Sequence, residues 1–196
     1  PDVASTDQQV LMARYSVASD GSLLYQPRES AGSAAATPVW VDRSGAQREV
    51  EAGWTTSAHN LFSGPRLSPD GRTLLIPRPE GGVWDLWSKD LAGGPITKLT
   101  FGGAYRPVWK PAGDSIYFIS NRDGPSALYS IPVDGSGVSR QVLNTTMPVT
   151  EARVSRDGVG LVYVAHNSLT STSILARGPS PDTSTTVLVE SDRLNI

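Results

Sequence analysis

The chain has 196 residues, of which 38% are hydrophobic, and a formal net charge of −2. This length is sufficient to bury a core, while the near balance of charges gives no electrostatic basis for nucleic-acid binding. Because cysteine is absent, disulfides and thiolate metal sites are excluded, and no apolar run approaches the ~18 residues of a membrane-spanning helix.

The first part of the chain contains a polar segment and then a unit of short strands. Residues 1–9 lack hydrophobic periodicity, which predicts a tail or linker. The first four-stranded unit is predicted over residues 10–52. Its second strand contains Leu23-Leu24-Tyr25, directly after the turn sequence Ser19-Asp20-Gly21. A small-residue insertion over residues 30–37 lengthens the connection to the third strand.

The second unit, predicted over residues 53–100, shows the pattern most clearly. Ser68-Pro69-Asp70-Gly71 predicts a type I turn that ends in a glycine with left-handed conformation. We expect a strand over residues 74–76, which the proline- and glycine-rich segment after it terminates. Two further strands are expected over residues 83–91 and 96–100.

The remaining chain repeats this pattern. The third unit is predicted over residues 101–143, the fourth over residues 144–191, and residues 192–196 begin a further unit. The glycines of the successive turns are Gly21, Gly71, Gly113 and Gly158. Their spacings of 50, 42 and 45 residues are close to the period of roughly 40–45 residues that is typical of a β-propeller with four strands per blade.

The second strands are apolar at successive positions, which indicates sheets that are buried on both faces by neighbouring blades. We therefore predict an all-β chain: a β-propeller of about four four-stranded antiparallel blades. Four blades can close a ring, but the last six residues resemble a crossing to another blade. We therefore interpret the chain as a truncated part of a larger propeller, whose exposed end blades permit self-association.

Several motifs carry a resemblance to known repeats. Leu67-Ser68-Pro69-Asp70-Gly71, Asp85-Leu86-Trp87, Pro107-Val108-Trp109 and Ser120-Asn121-Arg122-Asp123-Gly124 resemble the TolB-like propeller repeats, which are WD-repeat-like blades of bacterial periplasmic proteins. The opening, with Tyr15-Ser16-Val17 and Val39-Trp40-Val41-Asp42-Arg43-Ser44-Gly45, resembles the C-terminal propeller of bacterial eukaryotic-like serine/threonine kinases. The resemblance implies a periplasmic or otherwise extracytoplasmic location in a bacterium. Blade three departs from the pattern with Ala112 in place of the turn aspartate.

Catalytic and metal-binding motifs are missing from the sequence. The only histidines are His59 and His166, which we expect in surface loops, too few and too isolated for a catalytic triad or a zinc site. No G-x-S-x-G nucleophile elbow and no kinase motif occurs. We therefore predict no enzymatic activity, no metal and no cofactor.

The predicted function is binding. In a propeller, the crossings between blades and the loops between second and third strands share one face with the mouth of the central tunnel, and aromatic and arginine side chains are common interface anchors. The candidate partner-binding residues on that face are Trp54, His59, Arg66, Tyr105, Arg106, Arg122, Asp123, Glu151 and Arg153.

The sequence is compatible with two main classes of function and with a third, less favoured one. The first is a non-catalytic protein-interaction or sensor module of a larger bacterial protein, such as a receptor-type kinase or a TolB-like periplasmic protein. The alternative is the gating propeller of a serine peptidase or other hydrolase whose catalytic domain lies outside this chain. The third is a propeller that binds a sugar or another small ligand. A protein partner is expected in the first class, and nucleic acid is expected in none.

Overall fold

A computed structural model of the chain describes residues 15–17, 23–25, 35–52, 54, 56–57, 64–143, 145–166, 171–178 and 185–192. Within these residues the secondary structure consists of strands and turns, without a helix. The strands form four four-stranded antiparallel sheets and one two-stranded ribbon, which confirms the predicted all-β fold class.

Sheet one contains the shortest strands. In chain order, the first six strands are β1 (Tyr15–Val17), β2 (Leu23–Tyr25), β3 (Ala35–Ala36), β4 (Val39–Val41), β5 (Gln47–Glu49) and β6 (Thr56–Ser57). The order within sheet one is β1-β2-β4-β5, and β3 pairs with β6 in the separate ribbon. The Asp42 carboxylate closes the turn between β4 and β5 by accepting hydrogen bonds from the backbone N–H groups of Ser44 and Ala46, at 2.8 and 3.0 Å.

Sheet two contains β7 (Arg66–Leu67), β8 (Thr73–Glu80), β9 (Val83–Asp90) and β10 (Ile96–Lys98), in the order β10-β9-β8-β7. The turn between β7 and β8 has the predicted chemistry. Asp70 accepts hydrogen bonds from the Ser68 hydroxyl at 2.6 Å and from the Arg72 N–H at 3.1 Å. Gly71 has a φ of 74°, the left-handed conformation that glycine adopts without steric cost.

The prediction that the second strand of this sheet ends at Ile76 is wrong, because β8 continues through Pro77 and Pro79 to Glu80. The Ser68 N–H donates to the Thr73 carbonyl, so the backbone groups of Thr73 face β7. By the alternation of a strand, the ring nitrogens of both prolines point to the same side. Among the described residues, β7 pairs only as far as Leu75, so the prolines lie at an edge and remove no bond to β9.

Sheets three and four repeat this arrangement. Sheet three is built from β11 (Tyr105–Trp109), β12 (Ser115–Ser120), β13 (Ala127–Pro132) and β14 (Arg140–Gln141), and sheet four from β15 (Val149–Val154), β16 (Leu161–His166), β17 (Ser171–Arg177) and β18 (Thr186–Asp192). In both sheets, the spatial order of the strands follows the chain. The first strands of successive sheets are neighbours, because β7 lies against β1 and β11, and β11 lies against β15.

The core lies between the sheets. One cluster joins sheets one and two around Leu74 and Ile76. A second joins sheets two and three around Leu75 and Phe118, and a third joins sheets three and four around Tyr163. Each fully buried Leu or Phe contributes roughly 2 kcal/mol to the free energy of folding. Successive sheets therefore stack face to face with their first strands innermost, as in a propeller.

Candidate functional site

Four of the predicted site residues lie together on the innermost strands of three sheets. Arg66 is on β7, Arg106 on β11, and Glu151 and Arg153 on β15. We call these four residues the inner-strand cluster. Arg66 and Arg153 occupy equivalent places, since each precedes the glycine of its turn by five residues, and Val108 holds that place on β11. The cluster is thus formed by the stacking of blades and not by neighbours in sequence.

Ion pairs connect the members of the cluster. Oε1 of Glu151 lies 2.6 Å from Nη2 of Arg153, and Oε2 lies 3.7 Å from Nη1 of Arg106. Nη1 of Arg106 also donates to the carbonyl of Thr150 at 2.7 Å. Glu151 therefore lies between arginines of two neighbouring blades.

Arg66 is partly buried. Its Nη1 donates to the carbonyl of Pro65 at 3.1 Å, and Nη1 of Arg153 makes the same kind of bond to the carbonyl of Ala152 at 2.9 Å. Burial lowers the pKa of Arg66 and the charge of Arg153 lowers it further, while Glu151 raises it. With three arginines and one glutamate, the cluster is electropositive.

The backbone deviates from regular strand geometry at this site. Arg106 has a φ of 53°, and it is the one non-glycine residue with positive φ among those described. It lies in a bulge of β11 between Tyr105 and Val108, and β15 has a matching irregularity between Val149 and Glu151. Bulges redirect side chains at functional edges, and a left-handed arginine is strained. Both inner strands therefore depart from regular strand pairing at the residues that form the cluster.

The remaining predicted residues do not join this cluster. Trp54 is 3% exposed and packs against Leu67, Leu74 and Ile76, so its ring belongs to the core. The hydroxyl of Tyr105 shares a hydrogen bond of 2.8 Å with that of Ser126. His59 lies outside the described residues.

Arg122 and Asp123 serve the structure of blade three. The Arg122 guanidinium lies 5.2 Å from the ring centroids of both Phe118 and Tyr129, and it donates to the Gly103 carbonyl at 3.3 Å. The Tyr129 hydroxyl donates to Asp123 at 2.7 Å. Burial raises the pKa of Tyr129, and this hydrogen bond raises it further. Both charged residues are thus engaged in joining the loop to its own sheet and to the preceding crossing.

The environment of His166 differs from the predicted one. This residue ends β16 and is partly buried, whereas we expected a surface loop. Its Nε2 and Nδ1 lie 3.1 and 3.2 Å from the hydroxyls of Thr150 and Thr172. It therefore adjoins the cluster through Thr150, whose carbonyl accepts from Arg106. The continuous apolar run before His166 is the signal that places it on a strand.

An open cleft of about 600 Å³ lies between β10 and the hairpin that joins β13 to β14. Phe101 and Val138 are exposed at its rim. Two cations line it: Lys98 is already paired with Glu80 at 2.5 Å and with Asp85 at 3.2 Å, and Arg122 donates to the Gly103 carbonyl. The cleft therefore offers less unsatisfied charge to a ligand than the inner-strand cluster does.

Within the part of the chain that the structure describes, no group of three or more His, Asp or Glu side chains is placed to hold a metal ion. The same residues contain no helix that is long and apolar enough to cross a membrane.

Comparison with known proteins identifies the family. Residues 37–193 match the family model of the TolB beta propeller domain. The chain belongs to this family. The match covers sheets two to four and the part of sheet one from β4 onward. It agrees with the radial stacking of the sheets around the inner strands.

Solved TolB structures show the same fold. A protein assigned as TolB from Agrobacterium tumefaciens superposes with a TM-score of 0.73 at 19% identity, over 91% of this chain and 65% of that protein. TolB from Acinetobacter baumannii also superposes with a TM-score of 0.73, at 18% identity, over 90% of this chain and 43% of the TolB chain. A puromycin-hydrolyzing peptidase from Mycobacterium tuberculosis superposes with a TM-score of 0.61 at 17% identity, over 92% of this chain and 32% of the peptidase.

Two curated relatives are similar in sequence over shorter stretches. The uncharacterized protein Atu1656 of Agrobacterium fabrum is 37% identical over 75 residues, which is 37% of this chain and 26% of the relative. The uncharacterized peptidase YuxL of Bacillus subtilis is 34% identical over 123 residues, which is 61% of this chain and 18% of the relative. The chain thus spans about a quarter or less of these relatives.

Proposed function

We propose that this TolB-type propeller is a non-catalytic protein-interaction module that docks a partner at the mouth of its central tunnel, over the inner-strand cluster. The observation that carries the proposal is the convergence of Arg66, Arg106 and Arg153 from three successive blades around one carboxylate. Arginine forks on a preorganised surface are strong anchors for a protein partner. A matching electronegative partner would also be attracted at long range.

The proposal extends to the larger protein and its location. We propose that the chain functions within a larger bacterial protein, such as a TolB-like periplasmic protein or a receptor-type kinase, outside the cytoplasm. Its similarity to TolB structures supports the first of these, whereas the kinase alternative depends only on the resemblance of the opening residues. Fractionation of cells that express the full-length protein tests the location, and recovery with cytoplasmic markers would contradict it.

The docking site is tested by affinity capture with matched variants. The wild-type chain, the triple variant R66Q/R106Q/R153Q and the control R72Q/R140Q/R156Q are used as baits in a lysate of the encoding organism. The control removes the same charge from exposed positions outside the cluster. We expect a partner that the wild type and the control retain and the cluster variant loses. Equal capture by all three baits would contradict the proposal.

A second candidate function is the gating propeller of a serine peptidase. It is favoured by the 34% identity to the peptidase YuxL over 123 residues and by the structural similarity to a mycobacterial peptidase. This chain has no nucleophile elbow of its own. The adjoining coding sequence decides between the two functions, because a hydrolase domain encoded in the same reading frame would favour gating, and its absence would favour docking.

A further inference from the structure

We infer that the inner-strand cluster binds a carboxylate group of an acidic peptide segment, and that Glu151 occupies the place of that carboxylate in the free chain. The inference rests on the proposed docking function and adds the chemistry of the partner. It also assigns Glu151 a role distinct from that of the arginines: it is an internal competitor that the incoming acidic group displaces.

The two equivalent arginines, Arg66 and Arg153, make the same hydrogen bond to the backbone. Arg66 and Arg153 each use one nitrogen, Nη1, to bond the carbonyl of the residue before them. A guanidinium has five N–H donors, and among the described residues Arg66 has this single hydrogen-bond acceptor. The remaining donors match the two oxygens of a carboxylate, which arginine binds in a bidentate way. Val108 lies at the equivalent position of the blade between them.

The four residues of the free cluster carry more positive than negative charge. Arg66 is partly buried, and its burial lowers its pKa. The positive charge of Arg153 lowers the pKa of Arg66 further. Glu151 is the carboxylate of the cluster that opposes this effect, but its ion pairs are with Arg153 and Arg106 and not with Arg66. A second carboxylate would relieve the repulsion and bring the cluster of three arginines and one glutamate closer to neutrality.

Glu151 is suited to act as a displaceable occupant. Its side chain is 40% exposed, and it contacts Arg153 at 2.6 Å but Arg106 only at 3.7 Å. Exposed ion pairs of this kind are weak because water screens them, so an external carboxylate can replace them at little cost. Because the internal occupant is itself a carboxylate, the site is already formed for that group. A phosphate is therefore the less favoured ligand.

The test uses defined probes and a charge-matched control. Capped hexaglutamate, capped hexaglutamine and inorganic phosphate are titrated into the wild-type chain, E151Q and E80Q at low ionic strength. Glu80 pairs with Lys98 at the far end of β8, so E80Q changes the net charge equally without touching the cluster. We expect E151Q to bind hexaglutamate at least about threefold more tightly than the wild type, and E80Q to bind like the wild type. Adding R66Q and R153Q to E151Q should abolish the gain.

Each result decides the inference. Tighter hexaglutamate binding by E151Q that depends on the two arginines supports it. The inference would be overturned if E151Q and E80Q gained affinity for hexaglutamate equally, or if neither variant bound hexaglutamate. Equal affinities for phosphate and hexaglutamate would also overturn it. Folding is verified by the thermal transition of each variant. If partner capture depends on the arginines while E151Q has no effect, the carboxylate inference fails and the docking function stands. If capture is independent of the arginines, both fail.

Discussion

The indole Nε1 of Trp109 donates a hydrogen bond of 3.1 Å to the backbone carbonyl of Arg66. This bond joins the inner strand of sheet three to that of sheet two, directly at one arginine of the inner-strand cluster. It therefore connects the stacking of the blades to the geometry of the proposed docking site. Loss of the bond should affect both the stability of the stack and the placement of Arg66.

We expect W109F to lower the free energy of unfolding by about 1 kcal/mol more than W87F does. Both substitutions remove the same indole atoms. Trp109 loses a hydrogen bond, whereas the buried Nε1 of Trp87 has no partner among the described residues. Urea unfolding measures the difference. An equal cost for the two variants would show that the bond to Arg66 adds nothing to stability.

A second prediction concerns Asp85, which is buried on β9. Its Oδ1 accepts from the Thr100 hydroxyl at 3.1 Å and from the Gly103 N–H at 3.3 Å, while Oδ2 lies 3.2 Å from Nζ of Lys98. We expect D85A to lower the free energy of unfolding by roughly 2–4 kcal/mol, since it leaves these groups unsatisfied.

The control for D85A is E80Q, which removes the exposed partner of Lys98 and should cost less than about 1 kcal/mol. Chemical denaturation compares the two variants. A similar small cost for both would mean that the Asp85 network does not hold the crossing to sheet three.

The turn aspartates predict how stability depends on pH. Hydrogen bonds from Ser68 and Ser155 are the main cause that lowers the pKa values of Asp70 and Asp157. A carboxyl with a lowered folded pKa stabilises the fold above its unfolded value of about 3.9 and loses this contribution as the pH falls through the folded value.

We therefore expect the thermal midpoint to fall when the pH is lowered from 5 to about 3. The fall should be smaller in S68A/S155A, whose turn carboxyls lack their main hydrogen-bond donor. An identical pH dependence in the wild type and the variant would contradict this assignment.

The end of the stack supplies a prediction on self-association. Leu75 and Val162 each lie four residues after the glycine of their turn, but Leu75 is 0% exposed under sheet three while Val162 is 39% exposed on sheet four. We expect L75E to prevent folding and V162E to fold with a stability within about 0.5 kcal/mol of the wild type.

If sheet four mediates the proposed self-association, V162E should also shift the sedimentation profile toward monomer. An unchanged oligomer distribution would remove this face as the contact. The structural reason for testing it is that Val162 is exposed at the position where sheet two buries Leu75.

The repeating local chemistry of the chain made the fold predictable. The Ser68-Pro69-Asp70-Gly71 turn and its counterparts fix hairpins through contacts within a few residues, and the apolar second strands require covering sheets. The extent of β8 was not predictable, because whether Pro77 and Pro79 are tolerated depends on where the partner strand β7 ends. That information lies in pairing between strands and not in the proline residues.

The candidate site was predictable only in part. The propeller pattern placed Arg66, Arg106, Glu151 and Arg153 on inner strands or their approaches, and the structure brings them together. The burial of Trp54 and the stacking of Arg122 on Phe118 depend on packing against residues distant in sequence. Side-chain type alone does not distinguish an interface anchor from such an internal contact.

The most direct test of the docking site is site-specific photo-crosslinking in the encoding organism. A photoreactive residue is placed at position 108, between the two equivalent arginines, or at position 136, on the exposed hairpin between β13 and β14. The proposed function predicts that position 108 captures a specific protein in the full-length context and that position 136 does not. Capture from position 136 with none from position 108 would contradict it.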